Sequence, residues 1–404
     1  MKVLFLTLVR IEDIRDKNIY ADLMRKFRDE GHEVYIVTPI ERRYKQKTIL
    51  VSSERTNILR VKTLNIQKTN VVEKGISTLL IERLYLSAIR KYFLSVKFDL
   101  ILYSTPPITF TKVIRFIREK CGARTYLLLK DIFPQNAVDL GMIRKDGNIH
   151  RYLKLKEKEL YQISDFIGCM SPANVSYLVK HNPSIIPDKI EINPNSIEPD
   201  VIEMSVDEKR RIREFHNIPS DSTAFIYGGN LGKPQGIDFL IAVLESNKEN
   251  NKVYFIIVGS GTEFSKIDNW IKVVRPINVK LIAGLPKVEY DSLLHACDVG
   301  LIFLDKRFTI PNFPSRLLSY LENKMPVIAA TDQNTDLGKI MEGNDFGFWA
   351  ESGDLSGMNR CIDRIANNHD LIQEMGQKGF DYMQKNYTVS NSYLKIMNHF
   401  KDTN

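Results

Sequence analysis

Pro311-Asn-Phe-Pro-Ser-Arg-Leu-Leu-Ser-Tyr-Leu-Glu-Asn-Lys-Met-Pro-Val-Ile-Ala-Ala330 reads as loop, short helix, tight turn and buried strand. Pro311 and Pro314 hold the first residues extended. Ser315 is a good N-cap, and Arg316 opens the first helical turn. Leu317, Leu318 and Leu321 give the helix an apolar face. Pro326 is expected to stop it. Val327-Ile-Ala-Ala330 is apolar on both faces, as a parallel strand inside an α/β sheet should be. A helix N-terminus at the mouth of such a sheet suits a phosphate, and Arg316 adds a planar two-donor cation. The same pattern also fits an ordinary αβ unit with a surface arginine.

The chain around this stretch has 404 residues, too many for one core, so two domains of about 200 residues are expected. The apolar fraction of 43% and charged fraction of 26% are ordinary for a globular enzyme. No run approaches ~18 apolar residues, so no transmembrane helix is expected. Lys2-Val-Leu-Phe-Leu-Thr-Leu-Val9 is followed directly by charges, with no small-residue cleavage site, and reads as a first buried strand rather than a signal segment. The four cysteines stand far apart and the seven histidines form no ligand-spaced pair, which argues against metal or redox chemistry.

Charge is uneven. Residues 1–200 hold 34 Lys and Arg against 23 Asp and Glu; the remainder holds 23 against 26. The stretch 41–92 alone has twelve basic residues and four glutamates. Within it Ile76, Leu79, Leu80, Leu84 and Ile89 form a helical stripe. It reads as a core-facing helix with a solvated basic face, while the charge excess points to an anionic surface.

In chain order, strand, helix (Asn18–Glu30) and strand (Glu33–Thr38) open the first domain, with Gly31 placed to follow the helix end. The intervening loop, Arg10 to Lys17, has no glycine, so a dinucleotide fingerprint is absent. A strand at 124–130 runs into Asp131, a carboxylate placed where α/β folds put their chemistry, although a turn role is equally open there. Pro194-Asn-Ser-Ile-Glu-Pro199 reads as a linker. The second series begins near 222. Ala224-Phe-Ile-Tyr227 leads into Gly228-Gly-Asn-Leu-Gly-Lys-Pro-Gln-Gly236, a turn whose glycines admit a ligand closely and whose Lys233 supplies a point charge. Gly259-Ser-Gly261 makes another tight turn. Leu285-Pro286 follows a third strand. Three glycine-bearing strand ends and one helix N-terminus thus converge on a single sheet edge.

With these residues in view the chain resembles the retaining glycosyltransferases of family 4, and among them the bacterial O-antigen and capsule transferases of N-acetyl-fucosaminyl type. The resemblance rests on Gly31-His-Glu-Val34, Lys130-Asp-Ile-Phe-Pro134, Tyr227–Gly236, Val258-Gly-Ser-Gly261, Ala296-Cys-Asp-Val-Gly-Leu301 and Pro314-Ser-Arg-Leu-Leu-Ser-Tyr320. It implies an α/β GT-B fold, two facing Rossmann-like domains with a deep cleft between them. Residues 1–197 would bind the acceptor, 198–385 the nucleotide sugar, and a helix at 386–404 would cross back to the first domain.

By the same resemblance the Gly229–Gly232 loop with Asn230, Lys233 and Arg316 would face the donor diphosphate, and Gly259, Gly261, Pro314, Ser315 and Leu317 would also bind the donor. Leu285 and Pro286 would lie beside the base, and Ser319 and Glu322 near the ribose. Asp131 stands where other members carry a histidine aimed at the acceptor. Asn230 and Gln235 replace residues that are often basic, and Ser319 replaces a glutamate. No Asp-x-Asp occurs, so protein cations rather than a metal would neutralise the diphosphate, and no cofactor is expected. The implied partners are a nucleotide sugar, with UDP favoured over GDP, an undecaprenyl-diphosphate-linked saccharide, and the anionic inner face of the plasma membrane. The protein would be cytoplasmic and peripheral. A nucleotide-sugar epimerase of the same architecture is one rival reading. A non-enzymatic binder of anionic polymer is another, although no nucleic-acid module is present.

Overall fold

The computed structural model describes residues 1–66, 71–200, 204–366 and 368–400. The chain divides into two compact units, Met1–Glu198 with Thr388–Asn404, and Pro199–Tyr387. The boundaries fall one and two residues beyond those expected.

The first unit holds one eight-stranded sheet. Its strands are β1 (Lys2–Leu6), β2 (Glu33–Glu41), β3 (Ile49–Ser53), β4 (Thr56–Thr63), β5 (Leu100–Ser104), β6 (Arg124–Leu129), β7 (Phe166–Cys169) and β8 (Ile190–Ile192). Their order is β3-β4-β2-β1-β5-β6-β7-β8. All pairs are parallel except β3 with β4. The direction of winding reverses between β1 and β5, which makes that point the mouth of the sheet.

Local chemistry fixes several elements as the sequence suggests. Asn18 caps helix Ile19–Asp29 by accepting from the amides of Tyr20 at 3.1 Å and Ala21 at 3.0 Å. Gly31 then turns the chain at φ +88°. The last helix, Val389–Asn398, lies in this same unit. Tyr393 packs edge-on to Phe27 at 4.9 Å and shares a 3.0 Å hydrogen bond with His32. The expected helix at 386–404 is Val389–Asn398, preceded by a separate helix, His369–Asn386.

The stripe read from 76 to 89 is offset. In helix Val71–Tyr92 the buried row is Ser77, Ile81, Tyr85, Ala88 and Ile89, while Leu80 faces solvent. Leu84 is half-buried against the core. The side chains of Ile76 and Leu79 lie outside the described residues.

The second unit holds a six-stranded parallel sheet of β9 (Thr223–Asn230), β10 (Val253–Ser260), β11 (Val279–Ile282), β12 (Val299–Phe303), β13 (Val327–Thr331) and β14 (Gly347–Glu351). The order β11-β10-β9-β12-β13-β14 is the doubly wound pattern, with its switch point between β9 and β12. Phe225, Tyr227, Phe255, Leu301, Phe303 and Ile328 bury the centre of this sheet.

The loops after β9 and β12 lie side by side at that switch point. Asp305 donates its amide to the Pro234 carbonyl at 2.9 Å, and Gly236 sits against the Leu304 carbonyl.

Candidate active site

The stretch 311–330 forms loop, helix and strand as expected, but two details differ. Helix Arg316–Glu322 has Ser315 at its N-cap position with helical dihedrals, and the Ser315 side chain makes no capping bond. The first turn is closed instead by the carbonyls of Pro314 and Ser315, which accept from Leu317 at 3.3 Å and Leu318 at 3.1 Å. The helix ends at Asn323, and Lys324 takes the left-handed conformation at φ +52°. Pro326 thus follows the stop rather than causing it. This helix is only two turns long, so Arg316, more than a dipole end, gives the place its character.

Arg316 is held by three tyrosines that sequence reasoning did not single out. Its guanidinium carbon lies 4.2 Å over the ring of Tyr227, the last residue before the glycine turn. Tyr320, four residues along the same helix, is fully buried. Its hydroxyl donates to the carbonyls of Ile226 and Leu301, at 3.2 and 3.1 Å, and accepts from the Gly228 amide at 3.3 Å. Tyr290 arrives on helix Lys287–His295, with its phenol against Gly228, where a Cβ would overlap it. Burial opposes the charge of Arg316, but Tyr227 and Tyr320 outweigh it and raise the guanidinium above its ordinary pKa. Burial also pushes Tyr320 up to about 12, so it stays neutral.

The guanidinium rests on the glycine turn. A Cβ built on Gly229 would stand 3.4 Å from Nη2 of Arg316, and Gly229 itself has φ +125°, a conformation open to glycine. Nη1 of Arg316 is buried and has no hydrogen-bond partner among the described residues. A buried unpaired donor costs about 1–3 kcal/mol. A charged one, set at the carboxyl edge of a parallel sheet beside an exposed glycine turn, is built to receive an anion.

Residues 208–381 match the family model "Glycosyl transferases group 1". This stretch is similar to the glycosyl transferases of group 1. Over 292 residues the chain is 23% identical to "Probable glycosyltransferase WbjE" of Pseudomonas aeruginosa, covering 72% of this chain and 71% of that one. Over 253 residues it is 21% identical to "Putative colanic acid biosynthesis glycosyl transferase WcaI" of Escherichia coli strain K12, covering 60% of each. Anabaena HepE, solved with UDP and glucose, superposes with a TM-score of 0.72 at 13% identity over 99% of both chains. The fold is GT-B.

Other expected donor residues of the second unit fall into distinct settings. Lys233 is exposed in the short turn Lys233–Gln235. Asn230 and Gln235, which replace often basic residues, hold each other at 3.0 Å. Gln235 also accepts from the Gly232 amide at 3.2 Å and so closes the turn. Gly259 and Gly261 leave room for backbone: a Cβ on the former would overlap the Gly229 carbonyl, and on the latter the Leu231 carbonyl. Their absent side chains are thus explained by two strand ends in close contact.

Pro286 is exposed at the start of helix Lys287–His295, one turn from Tyr290, and Leu285 is half-buried beside it. Leu317 is in the core. Pro314 and Ser319 are half-buried. Glu322 accepts from the Asp200 amide at 2.9 Å, which ties down the chain entering this unit.

Asp131 belongs to the first unit, just past β6. Thr105 clamps the backbone there: its hydroxyl accepts from the amides of Lys130 at 3.0 Å and Asp131 at 3.1 Å, and donates to the Asp131 carbonyl at 3.0 Å. The carboxylate accepts from the Asn136 side-chain amide at 2.8 Å. Burial raises its pKa to about 6, against the opposing bonds from Asn136 and the Ile132 amide. Lys130, quoted in the motif but not weighed as a site residue, donates to the Asn193 carbonyl at 3.2 Å, and burial lowers it to about 7. Two neighbouring residues with pKa values displaced towards neutrality are a mark of a functional site.

Proposed function

We propose that the protein is a retaining glycosyltransferase. It moves a hexose, N-acetylated or deoxy, from a nucleotide-diphosphate donor to a lipid-linked saccharide in surface-polysaccharide synthesis. The observation that carries this reading is Arg316, with Nη1 buried and unpaired and Nη2 beside Gly229 at the switch point of the second sheet. The donor diphosphate lies over the 228–236 turn. Arg316 and Lys233 meet the charge that grows on the leaving oxygen, in the role a metal has elsewhere. Such donors stabilise the transition state because they are fixed before the bond breaks.

Asp131 is assigned to the acceptor. With a pKa of about 6 its carboxylate is largely ionised at pH 7, able to orient the acceptor hydroxyl or draw its proton. UDP is the favoured nucleotide, since HepE was solved with UDP. WcaI, named for colanic acid biosynthesis, supports the polysaccharide context. The acceptor is undecaprenyl-diphosphate-linked, and the protein works at the cytoplasmic face of the plasma membrane. Among the described residues no helix is long and apolar enough to cross a membrane.

The test is a thermal-shift series with UDP, GDP and their sugars in EDTA. A ligand at about 100 times its Kd adds about 2.7 kcal/mol to stability, so binding raises the melting temperature visibly. UDP ligands should do so without a divalent ion. Indifference to every nucleotide would overturn the reading. An NMR time course with donor alone separates transfer from epimerisation, since an epimerase turns over without acceptor.

A further inference from the structure

Helix Asn148–Ile163 of the first unit carries two opposed faces. One buries His150, Leu153, Glu157, Leu160 and Tyr161. The outward face is not the usual polar one. Ile149, Tyr152 and Leu155 are 67%, 41% and 61% exposed, and Met142, in the turn before the helix, is 60% exposed. Spaced three apart, the three helical residues span about 120° of the circumference.

Cations frame them. Arg151 and Lys158 are exposed along one edge, Arg144 and Lys145 are exposed in the preceding turn, and Lys156, half-buried, falls between Ile149 and Tyr152 within the stripe. From 142 to 159 there are six cations against three acids. Of the acids, Glu157 turns inward to Lys154 and Tyr161, Glu159 is held by Lys156 at 2.7 Å, and Asp146 stays exposed in the turn, so Arg144, Lys145, Arg151 and Lys158 stand against one remaining carboxylate. The face therefore presents apolar side chains and unbalanced positive charge.

We propose that this face docks on an anionic bilayer. The helix lies in the headgroup plane, Ile149, Tyr152, Leu155 and Met142 enter the acyl boundary, and Arg144, Lys145, Arg151 and Lys158 meet lipid phosphates. Buried apolar area and attraction to anionic lipid act together in such helices, and a tyrosine suits the boundary because one end is apolar and the other polar. The charge pattern selects this occupant: a second copy would bring the same cations against themselves. For its purpose the contact rests on the lipid-borne acceptor proposed above. It places that contact on a different element from the 41–92 stretch to which the charge excess first pointed.

Flotation of the full chain with vesicles of phosphatidylcholine, with and without phosphatidylglycerol, tests this. The protein should float with the anionic vesicles at low salt and less at high salt. Ile149→Ser with Leu155→Ser should lower the partition at least about tenfold. Arg151→Gln with Lys158→Gln should lower it about fivefold per charge and flatten the salt dependence. Val273→Ser, at a residue 83% exposed on the second unit, should change nothing.

The UDP-induced melting shift is measured on every variant. Intact UDP binding with lost flotation isolates the membrane face, and lost UDP binding concerns the donor site alone. Three results would overturn the proposal. Wild-type protein ignores anionic vesicles, the serine variant floats like wild type, or that variant turns a dimer into a monomer in sedimentation, which would give the face to a second copy.

Discussion

Replacing Arg316 with alanine separates donor binding from folding, because two opposing contributions nearly cancel in the ligand-free protein. The guanidinium stacks on Tyr227 at 4.2 Å, an attraction of about 2 kcal/mol when desolvated. Its Nη1 is buried without a partner, at a cost of about 1–3 kcal/mol. R316A should therefore melt within a few degrees of the parent, since about 1 kcal/mol corresponds to about 2–4 °C in a unit of this size. Donor binding should change far more. A diphosphate oxygen on Nη1 makes a charge-assisted bond worth about 1.5–3 kcal/mol, so Kd for UDP should rise roughly 10- to 150-fold. Transfer should fall further, by about 10²–10³, because the charge on the leaving oxygen grows as the bond breaks. Calorimetric titration of UDP into both proteins in EDTA reads the first, and label transfer from donor to acceptor reads the second. Arg316→Lys keeps the charge but loses the planar fork, and should fall between. Parent-like UDP affinity and rate in R316A would refute the reasoning.

Three further outcomes follow from the same geometry. The rate should rise through an apparent pKa of about 6 as Asp131 loses its proton, and fall below it; Asp131→Asn should cost about 10²–10⁴ in rate and abolish that inflection in the pH profile. Gly228→Ala drives a methyl into the phenol of Tyr290 and should destabilise by about 1–3 kcal/mol in urea unfolding, with Tyr290→Ala restoring part of the loss. Asp298 accepts from the Ala224 amide at 2.8 Å, Arg213 at 2.9 Å and Lys209 at 3.1 Å, so Asp298→Ala should cost about 3–5 kcal/mol. Burial alone would raise the Asp298 pKa, but Lys209 and Arg213 hold it low. Its contribution is thus present at neutral pH and is lost as pH falls below the ordinary 3.8, which acid unfolding of parent and variant will show.

Much of the second sheet is legible in the sequence, because its strands are apolar on both faces and their ends carry glycines. Ala224–Tyr227, Tyr254–Val258 and Val327–Ala330 all lie inside observed strands. Less visible is the hairpin of β3 and β4. It sits at an edge, and β3, Ile-Leu-Val-Ser-Ser, is largely exposed and shows none of the apolar–polar alternation that marks a half-buried strand. At Ser315 a local rule misleads: residue type alone says N-cap, whereas the turn is closed by carbonyls. The tyrosine cage could not be read in advance. Tyr227, Tyr290 and Tyr320 lie on three elements far apart in sequence, and only the tertiary fold brings them to one arginine. A signal existed for one of them, since Tyr320 is four residues from Arg316 on the same helix.

The central claim is that a diphosphate lies across the carboxyl edge of the second sheet, against Gly229 and Arg316. A crystal structure of the chain with UDP tests it most directly. The account predicts a phosphate oxygen about 2.7–2.9 Å from Nη1 of Arg316, with the diphosphate over the 228–236 turn. A diphosphate bound elsewhere, with Nη1 still unpaired, would contradict it.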